Sequence, residues 1–168
     1  DFCLSRGLGD VYKRQFQTWR KSNPENAVLF DRLENGELPD LDSVLPVFDA
    51  GTDVSTRAAS GKVLNAIAKV MPELWGGSAD LAESNNTTIA GAKSFVPEIH
   101  STHEFTGDVY GRVMHFGIRE HAMGSILNGI ALHGKTRSYG GTFLIFSDYM
   151  RPAVRLAALM KVPSIFVW

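Results

Sequence analysis

The spacing of hydrophobic residues becomes regular near Gly51. From there onward, apolar positions recur at helical spacing in some stretches and form short continuous runs in others. In the first periodic stretch, Ser55 or Thr56 can cap a helix and Pro72 ends it. The apolar positions of this predicted helix include Val63, Leu64, Ile67 and Met71.

Two more helices are predicted in the second half of the chain. One covers residues 119–133 and stops at Gly134, because glycine is favoured just after a helix. The other covers residues 148–160. The first is predicted to present one apolar face, made of Ala122, Met123, Ile126, Leu127 and Ile130. The apolar stripe predicted for the second consists of Tyr149, Ala153, Leu156 and Met160.

Short apolar runs between the helices predict β-strands. They cover residues 73–78, 113–116, 138–146 and 164–168. Gly-Gly pairs predict a turn at the end of the first run and another within the third. Residues 84–106 are polar and rich in glycine and asparagine, without a steady period, and are predicted to be one long loop. A loop of that length inside a compact domain is usually functional.

Strands that alternate with helices predict an α/β fold, with a parallel sheet and helices on both faces. Strands buried on both faces are typically continuous apolar runs, as they are here. Ligands of such sheets bind beyond the carboxyl ends of the strands. A site is therefore expected after Ser78, after Phe116 and around Phe143. Because the chain stops within its last apolar run, we expect a sheet that is incomplete at the C-terminus.

The N-terminal residues are organised differently. Residues 1–15 have no clear amphipathic period, and we interpret them as a non-native or disordered tail outside the fold. Residues 16–50 are predicted to be an interdomain linker with a short helix over residues 27–33. Residues 51–168 would then be the folded domain, in truncated form.

Composition narrows the class of protein. The 168 residues have a formal net charge of −1, and their lysines and arginines are dispersed, so there is no electrostatic footprint for nucleic acid or an anionic membrane. Cys3 is the single cysteine, which excludes an internal disulfide and a multi-cysteine metal site. No apolar run approaches the roughly 20 residues of a membrane helix. We therefore expect a soluble, cytoplasmic protein.

A carboxylate opens the helix predicted after residue 119. In the segment Gly117-Ile118-Arg119-Glu120-His121, a strand ends, a glycine turns the chain, and an acidic residue begins the helix. The helix dipole alone favours an acidic residue there by roughly 0.3–1 kcal/mol. On spacing alone, the position of Glu120 therefore favours a helix-stabilising role over a catalytic one.

Other candidate residues lie before and after this helix. Phe143, Phe146 and Tyr149 recur at intervals of three and could stack on a heterocycle or pack in the core. Asp80 follows a glycine-rich strand end and is either a turn former or a ligand-facing carboxylate. Arg57 begins a helix, where a cation is mildly disfavoured, so it could grip a phosphate or be a solvated surface arginine.

In combination these motifs resemble those of transketolases. The shared sequence motifs are Gly-Gly-Ser-Ala-Asp at residues 76–80, Gly-Ile-Arg-Glu-His-Ala-Met at 117–123 and Gly-Gly-Thr-Phe-Leu-x-Phe at 140–146, in that order. The resemblance covers residues 16–168 and is densest from Thr56 onward. The runs at 100–104 and 147–152 look most like actinobacterial members. The resemblance identifies residues 51–168 as a pyrimidine-binding domain for thiamine diphosphate.

The resemblance implies cofactor-binding roles for five residues. Glu120 matches the catalytic glutamate that hydrogen-bonds the pyrimidine N1′ of thiamine diphosphate and favours the imino form of the ring, a base close to the thiazolium C2. Phe143, Phe146 and Tyr149 match the aromatic pocket around the pyrimidine, with Phe146 in direct stacking contact. Asp80 matches an aspartate near the cofactor.

The resemblance also implies a reaction and its partners. Arg57 and Ser84 match the residues that hold the sugar phosphate. Transketolases transfer a two-carbon ketol unit between sugar phosphates of the xylulose 5-phosphate and ribose 5-phosphate class, as homodimers in the pentose phosphate pathway. Their diphosphate and its Mg²⁺ or Ca²⁺ are held by a Gly-Asp-Gly motif in an earlier domain, which this sequence lacks. We therefore expect a fragment that is inactive alone.

Several alternatives stay open at this point. Dihydroxyacetone synthase and 1-deoxyxylulose-5-phosphate synthase share the same domain organisation, although the second typically lacks the Arg-Glu-His-Ala-Met motif. A subunit of a split enzyme is a further possibility. A generic nucleotide-binding α/β domain is disfavoured, because no Gly-x-Gly-x-x-Gly or Walker-type loop occurs.

Overall fold

The computed structural model describes the backbone of residues 2–168 and the side chains from residue 9 onward, so Cys3 lies outside the described side chains. It divides into two compact units, one ending at Leu38 and the other running from Pro39 to Trp168. The sequence predicts boundaries after residues 15 and 50, and these boundaries stay predictions. The structure continues a helix through residue 15, where no period was recognised. The origin of residues 1–15 and the linking role of residues 16–50 stay predictions.

The first unit contains two helices, α1 (Phe2–Ser22) and α2 (Pro24–Glu34). Proline at the first position of α2 begins that helix, and the helix predicted over residues 27–33 lies within it. The ring of Phe30 packs edge-on against Trp19. Arg20 donates two hydrogen bonds of 2.6 Å to the carboxylate of Asp31, which holds the pKa of that carboxyl below its ordinary value.

The second unit is a six-stranded sheet with helices, and all of its paired strands are parallel. Its helices are α3 (Thr56–Val70), α4 (Ala82–Asn85), α5 (Glu120–His133) and α6 (Ser147–Met160). Its strands are β1 (Leu74–Ser78), β2 (Ser94–Phe95), β3 (Gly107–Asp108), β4 (Val113–His115), β5 (Arg137–Gly141) and β6 (Ile165–Val167). The strand order is β3-β2-β4-β1-β5-β6. The predicted α/β fold is confirmed.

Helices cover both faces of the sheet, as predicted. Adjacent residues of β5 show this, because successive side chains of a strand point to opposite faces. Tyr139 packs in a cluster with Ala68 of α3. A Cβ placed on Gly140 would lie 2.6 Å from Cδ1 of Leu127 in α5. The sheet is therefore enclosed by α3 on one side and by α5, with α6 packed on it, on the other.

Local signals explain where the helices begin and end. Ser55, one of the two predicted candidates, caps α3 by accepting a hydrogen bond from the backbone N–H of Ala58. Helix α5 ends at Gly134, whose φ of +87° disfavours any residue with a side chain. Among residues 2–168, no helix combines the length and the apolar character needed to cross a membrane.

The Gly-Gly pairs are not turns, which corrects the prediction. Gly76 and Gly77 lie within β1, and Gly140 and Gly141 lie within β5. A Cβ on Gly77 would lie 1.9 Å from the backbone oxygen of Met114 in the neighbouring strand. Glycine is required in the strand because the adjacent backbone leaves no space for a side chain.

The long segment predicted as a loop contains regular structure and is firmly attached. It includes the end of α4, strand β2 and a short 3₁₀ turn at Glu98–His100. The side chain of Asn65 in α3 forms two hydrogen bonds with this segment: it donates to Thr88 O at 3.3 Å and accepts from Ala90 N at 2.7 Å. These short elements have too few residues for their period to be visible in the sequence.

The buried faces of α5 and α6 differ from the predicted stripes. In α5, Ala122 and Ile126 are exposed, whereas Gly124 and Asn128 are buried. In α6 the predicted stripe residues Tyr149, Leu156 and Met160 are exposed; the buried residues are Met150, Ala153 and Ala157. A Cβ on Gly124 would lie 2.8 Å from Cβ of Ala153. The two helices thus meet through small residues, which a search for large apolar side chains overlooks.

Candidate active site

The carboxyl ends of three neighbouring strands form the candidate site. Strand β1 lies between β4 and β5. From β1 the chain continues to β2, which lies on the β4 side, and from β4 it crosses β1 to reach β5 on the other side. This is a topological switch point, where a parallel sheet opens a crevice. Ser78 fixes its floor by donating a hydrogen bond to Gly141 O (2.9 Å) and accepting one from Leu81 N (3.1 Å).

A cavity of about 460 Å³ lies at this crevice. It brings together four of the seven residues singled out in the sequence, namely Asp80, Glu120, Phe146 and Tyr149. Ala79, Leu81 and Ile118 complete the lining. The cavity is therefore apolar and aromatic, with two carboxylates as its charged groups, a combination typical of small-molecule sites.

Glu120 is a buried carboxylate at the first position of α5. The residue is 8% exposed, and among the described residues no hydrogen bond or ion pair reaches its carboxylate. Gly117, with a φ of +63°, turns the chain between β4 and α5. The guanidinium of Arg119 donates to Phe116 O at 3.1 Å. A buried carboxylate that lacks a protein donor can be stabilised by a donor on a ligand.

Three aromatic rings form a ladder beside Glu120. Phe143 and Phe146 have ring centroids 6.4 Å apart and planes 19° apart, and Phe146 and Tyr149 follow at 6.1 Å and 17°. Phe146 and Tyr149 line the cavity, whereas Phe143 lies behind Phe146. Such flat faces in a cavity can stack on a planar heterocycle.

Asp80 connects this cavity to a second one. It has a left-handed backbone (φ +61°), a conformation that Asp tolerates better than most residues and that is frequent at functional sites. It also lines the larger cavity, of about 860 Å³, which extends toward the carboxyl ends of β2 and β4. A ligand bound at Asp80 can therefore extend into either cavity.

The structure does not bring Arg57 and Ser84 into contact. Ser84 lines the larger cavity, whereas Arg57 is exposed in the first turn of α3 and lines neither cavity. The two elements nevertheless approach each other closely, because a Cβ on Gly61 would lie 2.7 Å from Cβ of Asn86. Arg57 and Ser84 thus belong to adjacent segments on one side of the sheet.

Sequence reasoning missed several residues of the site. Leu81 and Ile118 line the smaller cavity, and both directly adjoin residues that were recognised. Ile118 is exposed although it is apolar, and its place in the Gly-Ile-Arg-Glu turn could have indicated a wall of the site. Ala79 carries no chemical signal in the sequence and could not have been found.

A buried tyrosine secures the segment that carries Ser84. The hydroxyl of Tyr139 in β5 donates a hydrogen bond of 2.8 Å to Thr87 O, and the ring is 1% exposed. Burial raises the pKa of Tyr139 well above its ordinary value, so the hydroxyl keeps its proton and continues to donate. The larger cavity therefore has one wall anchored directly to the sheet.

The fold and the cavities define an α/β domain with a candidate small-molecule site at the switch point of a parallel sheet. Residues 52–168 match the family model described as transketolase, pyrimidine binding domain. The chain belongs to this family.

Curated relatives and solved structures agree with that assignment. The chain is 60% identical to the transketolase of Mycobacterium tuberculosis (strain ATCC 25618 / H37Rv) over 159 residues, which are 94% of this chain and 23% of the relative. It is 48% identical to the transketolase of Geobacillus stearothermophilus, over 93% of this chain and 22% of that protein. The higher identity to a mycobacterial protein confirms the predicted actinobacterial likeness.

A solved transketolase from Pichia stipitis, in complex with sedoheptulose 7-phosphate, superposes with a TM-score of 0.88 at 40% identity, over 96% of this chain and 24% of that one. The transketolase from Leishmania mexicana superposes with a TM-score of 0.84 at 33% identity, over 96% of this chain and 23% of that one. The chain thus spans about a quarter of the length of the relatives it matches.

Proposed function

We propose that this chain supplies the pyrimidine-binding half of a thiamine diphosphate site in a transketolase. The full enzyme would transfer a two-carbon ketol unit from a ketose phosphate to an aldose phosphate. The observation that carries the proposal is Glu120, a buried carboxylate without a described protein partner, which shares one cavity with the stacked rings of Phe146 and Tyr149.

The cavity fits the pyrimidine of thiamine diphosphate in its chemistry. An aminopyrimidine is flat and carries ring nitrogens, so it needs aromatic faces and a polar group at its edge. Phe146 and Tyr149 would supply the faces, with Phe143 supporting Phe146, and Glu120 would hold a proton shared with a ring nitrogen. Asp80 would lie beside the cofactor. When bound, thiamine diphosphate supplies the nucleophilic carbon that cleaves the bond next to a ketose carbonyl.

The larger cavity would receive the sugar phosphate. Ser84 lines it, and Arg57 lies on the neighbouring segment, so a hydroxyl donor and a guanidinium are available to one phosphate. The structure of the Pichia stipitis relative contains sedoheptulose 7-phosphate. By this likeness we propose phosphorylated ketoses and aldoses as the substrates of the full enzyme.

The rest of the cofactor site would come from outside these residues. Within the described part of the chain, no group of three or more His, Cys, Asp or Glu side chains is arranged so that it could hold a metal ion. We propose that Mg²⁺ or Ca²⁺ and the diphosphate are held by another domain, that the enzyme is a cytoplasmic homodimer, and that these 168 residues alone have no activity.

Replacing Glu120 in the full-length enzyme tests the proposal. We expect Glu120→Gln to lower turnover by about 100-fold or more, because loss of a catalytic proton-transfer group typically costs two to four orders of magnitude. The fold should survive, since glutamine has nearly the same shape. The matched control is Glu98→Gln, an exposed residue that lines neither cavity. Full activity of Glu120→Gln would refute the catalytic role.

The reading frame around this chain offers a second test. We expect a Gly-Asp-Gly diphosphate motif upstream of it. A complete reading frame without such a motif would contradict the enzyme assignment, because the proposed site needs a group that holds the diphosphate.

A further inference from the structure

One histidine of the larger cavity has no role in the proposed function. His115 is the last residue of β4, five positions before Glu120, and it lines the cavity together with Asp80 and Ser84. Although it is exposed, its Nε2 lies 2.8 Å from Oγ of Ser94, and its ring packs on Phe105 with centroids 4.5 Å apart.

These two contacts fix the orientation of the imidazole. Ser94 is 2% exposed, and its backbone N–H donates to Thr106 O at 2.9 Å, so its hydroxyl is held rigidly. Phe105 fixes the plane of the ring from one side. Among the described residues, Nδ1 of His115 makes no hydrogen bond, which leaves one nitrogen available to a ligand. An exposed ring held this firmly is preorganised for binding.

The lining of the larger cavity suits the hydroxylated carbon chain of a sugar phosphate. Lys93 is paired with Asp108 at 2.8 Å, so its charge is already neutralised. The remaining lining combines carboxylates with hydroxyl and imidazole groups, namely Asp80, Glu83, Ser84, Thr102, His103, Glu104 and His115. Mixed donors and acceptors of this kind match sugar hydroxyls, which both donate and accept.

We propose that His115 is a sugar-binding residue, whose Nδ1 bonds a hydroxyl on the carbon chain of the substrate. The inference rests on the proposed function. It adds a contact to the part of the sugar that lies between its reacting carbon and its phosphate. Asp80 borders both cavities, so a sugar whose reacting carbon lies near Asp80 extends into the larger cavity past His115. Ser94 and Phe105 act as positioning residues, because they hold the ring whose Nδ1 would bond the sugar.

Nuclear magnetic resonance of the full-length enzyme tests the inference. The probes are ribose 5-phosphate, unphosphorylated ribose and inorganic phosphate, and the signals are the imidazole C–H resonances of His115 and the backbone amides of Arg57 and Ser84. We expect both sugars to shift His115, and inorganic phosphate to shift the two amides without shifting His115. Loss of one hydrogen bond should weaken ribose 5-phosphate binding about 2- to 10-fold in His115→Ala.

Matched variants separate binding from structure. His100→Ala, which changes an exposed histidine that lines neither cavity, should leave the affinity unchanged. His115→Phe keeps a ring that can pack on Phe105 but lacks both nitrogens. If His115→Ala is unfolded, as shown by lost dispersion of its amide signals, His115→Phe is used in its place. Ser94→Ala should weaken binding less than His115→Ala, because the ring is released but its nitrogens remain.

Each contrary result has a distinct meaning. If ribose 5-phosphate shifts the amides of Arg57 and Ser84 and binds His115→Phe as tightly as the parent, the inference is wrong and the proposed phosphate site stands. A shift of His115 with inorganic phosphate alone would overturn the assignment to a sugar hydroxyl. If ribose 5-phosphate shifts none of these signals, both the inference and the proposed phosphate site fail, whereas the role of Glu120 is tested independently.

Discussion

Tyr139→Phe removes a single buried hydroxyl and should destabilise the second unit measurably. The hydroxyl donates to Thr87 O, so the substitution leaves that carbonyl without this donor in an enclosed site. An unsatisfied buried polar group costs about 1–3 kcal/mol. For a domain of this size, that corresponds to a drop in Tm on the order of 2–12 °C. The ring itself is unchanged, so no packing is lost.

Urea denaturation followed by circular dichroism measures this effect. We expect the midpoint to fall while the m-value stays constant, because the surface exposed on unfolding is the same. Tyr110→Phe is the matched control: Tyr110 is 82% exposed, and its substitution should change stability by less than about 0.5 kcal/mol. If Tyr139→Phe is as stable as Tyr110→Phe, the hydrogen bond does not anchor the segment that carries Ser84.

Two further predictions concern helix packing and pH. In α5, Gly124→Ala should destabilise the protein by about 1–3 kcal/mol, because the new Cβ would lie 2.8 Å from Cβ of Ala153. Gly129→Ala has open space around the new Cβ and should stabilise the protein by about 0.5–1 kcal/mol. If thermal unfolding shows that both substitutions change the stability in the same direction, the described packing of α5 is wrong. The hydrogen bond from Lys93 lowers the pKa of Asp108, so this pair contributes stability above about pH 4 that is lost as the pH falls through the depressed pKa. Asp108→Asn should therefore be slightly less stable than the parent at neutral pH and equal to it near about pH 2, and a constant difference in urea midpoints at both pH values would refute the pairing.

The sequence predicted the fold well where its signals are local. The cap at Ser55 and the stop at Gly134 are satisfied within one helical turn, so they were readable and correct. The roles of Gly76 and Gly77 depend on backbone atoms of neighbouring strands, and a single sequence does not contain that information. In α6 the sequence named Ala153 correctly but missed Met150 and Ala157, because the buried face depends on contacts with another helix, such as that of Ala153 with Gly124.

The candidate site shows the same division. Asp80, Glu120 and Phe146 were recognised through short motifs, and the structure places all three around one cavity. The sequence could not show that Arg57 lies outside both cavities, nor that His115 is held by Ser94, because such relations depend on segments far apart in the chain. Motifs thus identified the residues, and tertiary structure was needed to relate them.

A crystal structure of the full-length enzyme with thiamine diphosphate tests the central claim most directly. The account predicts that the pyrimidine lies in the cavity bordered by Asp80, Phe146 and Tyr149, with a ring nitrogen about 2.5–3.0 Å from the carboxylate of Glu120. A pyrimidine bound elsewhere, or one whose nitrogens make no hydrogen bond with Glu120, would contradict it.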